Sequence, residues 1–211
     1  MKKYYEFSIF LLFLSFFNLL AQEQGLIQQA YDSYQKKDFK KAIELYSQVL
    51  QKHERYAPAF YGRGLAYAQL EQYNAAIKDF EKATQLDNAF SEAYFAKSIC
   101  EIKIGQNENA LASINSAISI TQNKPEYFYT RGLIHYYQKE WNKAIPDFTK
   151  AIEIDPKFGL AFYARASAYY HLKDKNNSLK DYESYLRISG NQHNLANETQ
   201  RMINVLLNPE E

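Results

Sequence analysis

The sequence is poor in the residues that usually announce chemistry. It holds a single cysteine, Cys100, so no internal disulfide can form and packing must supply the stability. Cys100 reads as a small buried apolar residue, with a reactive thiol as the alternative. The four histidines, His53, His135, His171 and His193, stand far apart. None has a second histidine or cysteine at metal-ligand spacing, so no metal and no cofactor is expected. No serine or cysteine sits in a nucleophile motif. Gly62-Arg63-Gly64 resembles the start of a phosphate loop, but Tyr67 takes the third glycine's place and no strand precedes it. The chain reads as non-enzymatic. An excess of one charge is also missing: 25 basic and 24 acidic residues give a formal net charge of +1, without the basic footprint that nucleic acid demands. Sustained two-residue alternation and Asn-Gly or Asp-Gly turns are absent, which argues against strands.

One long hydrophobic run is present, and it lies at the start. Lys2 and Lys3 precede an almost wholly apolar stretch from Phe7 to Ala21. Residues 1–21 read as a secretory signal peptide, and the run is shorter than the ~20 residues that span a bilayer. An uncleaved N-terminal anchor is the alternative. The expected location is outside a bacterial cytoplasm, periplasmic or secreted, with no integral membrane segment after cleavage. Without residues 1–21 the chain is formally neutral.

What the rest of the chain has is a period. Ala42, Ala76, Ala110 and Ala144 are 34 residues apart, and Ser178 falls on the next step. Twelve residues upstream of each stands a small residue: Ala30, Gly64, Ser98, Gly132 and Ala166. Four residues downstream stand Tyr46, Phe80, Ile114, Phe148 and Tyr182. Apolar residues recur at three- and four-residue steps on both sides of the alanine, so each unit is two amphipathic helices. Breaks inside the units fall near Lys37-Asp38, Glu71-Gln72, Gly105-Gln106, Lys139-Glu140 and Lys173-Asp174. A fixed period of this size predicts a stacked array whose output is an extended binding surface.

These columns resemble tetratricopeptide repeats (TPR). Tyr-x-Arg-Gly at 61–64 and 129–132 is similar to the family's first helix, and Ala-Ile-x-Asp-Phe-x-Lys-Ala at 76–83 and 144–151 to its second. The resemblance implies an all-α superhelical solenoid of five units, about 23–56, 57–90, 91–124, 125–158 and 159–192. A capping helix over 195–207 and a tail at 208–211 follow. Met202, Ile203, Leu206 and Leu207 form the capping helix's apolar stripe. The third unit departs from the pattern with Asn107 and Ile114, and the fifth with Lys175, Ser178 and Tyr185.

Two sets of residues stand out. Arg63, Arg131 and Arg165 share one column, and Asp79, Asp147 and Asp181 follow each by 16 residues. The first unit has Gln29 with Leu45 and the third Lys97 with Ser113, so both members change together. Intra-unit ion pairs that hold the fold are the favoured reading, with an anion site as the alternative.

The second set is an aromatic inner face. The resemblance implies that first helices line a concave groove, here with Tyr61, Phe95, Tyr129 and Tyr163. Tyr34, Tyr136, Tyr170, Lys103, Tyr137 and His171 stand in the neighbouring columns. Tyrosine gives large contact area with few rotors and a polar tip. Some of these rings could equally pack between units. Family members that clamp a C-terminal carboxylate use lysine and asparagine in these columns, so an apolar or aromatic peptide segment is expected instead. The expected function is a non-catalytic protein-interaction scaffold. The alternatives are a structural subunit of a bacterial envelope assembly or a small-ligand carrier. Oligomeric state and partner identity are open.

Overall fold

The computed structural model describes residues 24–189 and 195–208. The expected signal segment at 1–21, residues 190–194 and all but the first residue of the expected tail at 208–211 lie outside those residues. The described residues form eleven helices and no strand. The first, α1, is helical over 24–35. It is followed by α2 (Phe39–Lys52), α3 (Ala57–Gln69), α4 (Tyr73–Leu86), α5 (Ser91–Lys103), α6 (Asn107–Ile120) and α7 (Pro125–Tyr137). Then come α8 (Trp141–Ile154), α9 (Gly159–His171), α10 (Lys175–Ser189) and α11 (Ala196–Leu207). Among the described residues no helix is long and apolar enough to cross a membrane. The chain divides into two compact units, one ending at Cys100 and the other starting at Glu101.

The helix pairs close through one recurring turn. Lys37, Glu71, Lys139 and Lys173 have φ near +60°, and Gly105 has φ +77°. In each case the next residue's N–H reaches back to a carbonyl of the preceding helix, as Glu140 to His135 at 2.9 Å and Asp174 to Tyr169 at 2.9 Å. This is the Schellman arrangement, which satisfies the orphan carbonyls of a helix end. It normally takes glycine, so the three lysines and the glutamate hold a left-handed conformation against a steric cost. Asp38 and Asp174 then start the second helices of their pairs by accepting from Lys41 N and Asn177 N, both at 3.1 Å.

In the unit up to Cys100, Ala30, Ala42, Tyr46, Val49, Ala59 and Ala66 form one core, and Ala76, Phe80 and Cys100 another. The small column exists because rings sit on it. A Cβ on Gly64 would come within 2.7 Å of Phe80 Cε1, and Phe80 is wholly buried. Gly62 and Gly64 both lie inside α3. Their amides therefore belong to a helix rather than to a phosphate-binding loop.

The unit from Glu101 repeats the scheme. A Cβ on Gly132 would come within 2.6 Å of Phe148 Cε1. Ala144, Phe148, Ala164 and Ala168 form one core cluster, and Phe128, Ala151 and Ala161 a second. Ser178, which replaces the periodic alanine, is fully buried and donates to the Ala166 carbonyl at 2.9 Å. Pro146 lies inside α8, where proline costs about 3 kcal/mol relative to alanine. It faces solvent, while Ala144, Asp147, Phe148 and Ala151 bury the opposite face and hold the helix. Helix α11 packs on α10, with Ile203 and Leu206 against Ala166 and Tyr182 and Met202 beside them. Leu207 does not join the stripe. It is 53% exposed, while Leu206 beside it is buried.

Candidate interaction faces

The arginine and aspartate columns meet in all three places. Arg63 donates from Nε and Nη2 to the two Asp79 oxygens, each at 2.8 Å. Arg131 does the same to Asp147 at 2.9 and 2.6 Å, and Arg165 to Asp181 at 2.7 and 2.8 Å. The aspartates are buried and the arginines half-buried. Each guanidinium also lies over the ring three residues earlier, Phe60, Phe128 or Phe162, at 5.6–5.7 Å. The Asp79 hydrogen bond raises the already high Arg63 pKa. Burial works against the charge on Arg165, and the Asp181 carboxylate outweighs it.

Each arginine has a third arm that spacing alone did not reveal. Nη1 reaches back to the second helix of the preceding pair: Arg63 to Ser47 Oγ at 3.1 Å, Arg131 to Asn115 Oδ1 at 2.8 Å and Arg165 to Thr149 Oγ1 at 2.9 Å. Lys97 makes the same backward reach to Glu81 at 3.1 Å. The guanidinium thus ties three helices, with each of its three nitrogens donating to a protein group.

The aromatic residues divide into those that pack and those that face water. Tyr61 lies against Phe80 and Phe90, with ring centroids 5.8 and 4.8 Å apart. Tyr129 lies against Phe148 and Phe158 at 5.8 and 5.0 Å, and Tyr163 against Tyr182 and Tyr185 at 5.6 and 5.4 Å. Burial pushes the Tyr129 hydroxyl up to about 12. The Tyr163 hydroxyl is raised by burial and then by the Glu198 carboxylate. These rings therefore belong to the packing between successive helices and present only part of their surface. Phe95 is half-buried and Lys103 exposed.

In the unit from Glu101, four of the expected residues gather. Tyr137 is 73% exposed and Tyr170 38%. Tyr136 stands edge-on to Tyr137 with centroids 5.6 Å apart, and its hydroxyl lies 3.0 Å from His171 Nε2. His171 in turn stacks on Trp141 at 4.9 Å with 10° between planes. Trp141 was missed as a site residue. Its signal was the aromatic column three residues before the periodic alanine, shared with Phe39 and Tyr73 and broken by Asn107. The Tyr136 hydroxyl is raised by burial first, then by Tyr137.

In the unit up to Cys100, Tyr34 and Tyr61 share a cleft of about 410 Å³ with Tyr31, Tyr46 and Tyr56. Burial raises the Tyr46 hydroxyl, and Tyr31, Tyr34 and Tyr56 nearby add to it. Tyr31, Tyr46 and Tyr56 were not anticipated, because three different helical segments bring them together. No cluster of three or more His, Cys, Asp or Glu fit to hold a metal ion occurs among the described residues.

Models of the tetratricopeptide repeat match residues 57–90, 125–158 and 160–192. Those stretches carry the three arginine–aspartate forks. Among curated proteins, nothing matches the chain. Solved structures do. A crystal structure of MamA is similar at 24% identity and TM-score 0.73, covering 79% of this chain and 91% of that one. MamA from Desulfovibrio magneticus RS-1 is similar at 17% identity and TM-score 0.75, covering 81% and 96%. YrrB, a TPR protein with an unusual peptide-binding site, is similar at 23% identity and TM-score 0.71, covering 83% and 90%. With its described helices packed on their chain neighbours within each unit, this all-α repeat chain is a tetratricopeptide-repeat protein.

Proposed function

We propose that the chain is a non-catalytic interaction scaffold that holds a segment of a partner protein against the tyrosine-rich faces of its first helices. The observation that carries this is the cluster of Tyr137, Tyr170, Tyr136 and His171. Two large rings stand in water beside a histidine whose orientation is set by Trp141 behind it and by the Tyr136 hydroxyl. Exposed aromatic groups on a rigid helical support suit a binding anchor, since little freedom is lost when they are covered. TPR folds serve protein–protein interaction in general, and the peptide-binding site of YrrB is a precedent for a segment as ligand. The deeper rings Tyr129 and Tyr163 set the floor of this face and keep its shape.

The lack of basic excess favours a protein partner over nucleic acid. Residues 1–21 support export from a bacterial cytoplasm. N-terminal sequencing of the native protein tests this: a start near Gln22 fits cleavage, and a start at Met1 fits an anchor. The scaffold reading is tested with a photo-crosslinking residue at Tyr137, installed in the source cell, and a control at exposed Lys150. The reading expects one partner captured at Tyr137 and not at Lys150. Equal capture at both positions, or none at either, contradicts it. A stoichiometric complex that survives Tyr137→Ala would instead favour an envelope assembly subunit.

A further inference from the structure

The cleft in the unit up to Cys100 has a chemistry of its own. Tyr31 and Tyr34 come from α1, Tyr46 from α2, Tyr56 from the start of α3, and Tyr61 from within α3. The twelve residues that line it include no charged side chain. Its polar groups are the phenol hydroxyls and the amides of Gln28 and Gln35. The Tyr46 ring lies over bare backbone: a Cβ on Gly62 would run into it. Tyr46 is buried, whereas Tyr31 at the rim is 50% exposed. A volume of about 410 Å³ falls in the range of ligand clefts, roughly 300–1,000 Å³.

These walls select by charge and by shape. A charged group placed among them would lose water and gain no counter-charge. An aliphatic group would gain burial alone. A neutral aromatic ring gains burial and also edge-to-face contact with surrounding rings. An N–H or O–H on its edge finds the phenol and amide oxygens. We infer that this cleft seats a neutral aromatic side chain, tryptophan or tyrosine, carried by the bound partner segment. The inference rests on the scaffold reading above and names the chemistry of one anchor.

The test uses the full chain and a panel of capped amino-acid amides: tryptophan, tyrosine, leucine, lysine and glutamate. Binding is read by NMR shifts of the tyrosine rings. The two aromatic probes are expected to shift Tyr31 and Tyr34 and to saturate, while lysine and glutamate probes do not at equal concentration. Tyr31→Leu, at a half-exposed position that keeps the helix, is expected to weaken the aromatic probes roughly tenfold, and Tyr31→Phe by less than about twofold. Charged probes that bind as well as aromatic ones, or an aromatic probe indifferent to Tyr31→Leu, would overturn the inference. Failure of the panel alongside capture at Tyr137 overturns this inference and leaves the scaffold reading standing. Panel binding with no captured partner overturns the scaffold reading, and the peptide source with it.

Discussion

Arg131 and Asp147 meet through a two-armed fork, Nε to Oδ2 at 2.9 Å and Nη2 to Oδ1 at 2.6 Å. The Asp147 side chain is 7% exposed, against 26% for Arg131. Removing the arginine strands a buried carboxylate, which costs roughly 3–5 kcal/mol. Arg131→Ala should therefore lower the urea midpoint strongly, and an Arg131→Met/Asp147→Leu double variant should recover much of the loss. An unchanged midpoint for Arg131→Ala would show that the fork contributes little.

Gly132 faces Phe148 across a gap with no room for a methyl group. Gly132→Ala gains about 1 kcal/mol of helix propensity but forces a fully buried ring aside, at roughly 1–3 kcal/mol. A net loss of about 1 kcal/mol is expected in chemical denaturation. Gly25, with nothing near its would-be Cβ, should accept alanine without loss.

Lys139 holds φ +61° at the end of α7, where glycine carries no Cβ penalty. Lys139→Gly should stabilise the chain by about 0.5–1 kcal/mol. The converse change, Gly105→Ala at φ +77°, should destabilise it. Thermal melts of the two variants check the opposite signs.

The buried tyrosines make the fold sensitive to alkali. Tyr129 is pushed up to about 12 from an ordinary value of 10.0 by burial, with Tyr137 adding to it. Tyr46, Tyr136, Tyr163 and Tyr182 move the same way. Between the two values the folded chain keeps a proton that the unfolded chain has lost. The contribution is thus full below about pH 10 and fades as pH rises toward about 12. Melting temperature followed across that window should fall as tyrosinate absorbance appears. A flat profile would mean that the rings are open to water.

Much of this architecture was legible because the period repeats its own evidence. Arginine and aspartate changed together from unit to unit, which told of their contact. The backward arm was not legible: its acceptors are Ser47, Glu81, Asn115 and Thr149, a column whose residue types share only a polar oxygen. Tyr136 and Tyr137 are adjacent and identical in type, yet one is half-buried and the other faces solvent. Helix phase against the next pair decides which. The same phase placed Tyr129 and Tyr163 mostly in the packing, where the sequence offered both roles. The tyrosine cleft was hidden because its walls come from three segments whose approach depends on Gly62. Leu207 fits the stripe by periodicity, yet it is exposed while Leu206 beside it is buried.

The division of labour between exposed and buried rings is tested most directly by measuring partner affinity and melting temperature together for Tyr137→Ala. At 73% exposure the truncation should change stability by less than about 0.5 kcal/mol. Loss of an aromatic anchor should weaken binding of the crosslinked partner by about 2 kcal/mol or more. A melting temperature that falls while affinity holds would contradict the account, since Tyr137 would then serve the fold rather than the partner.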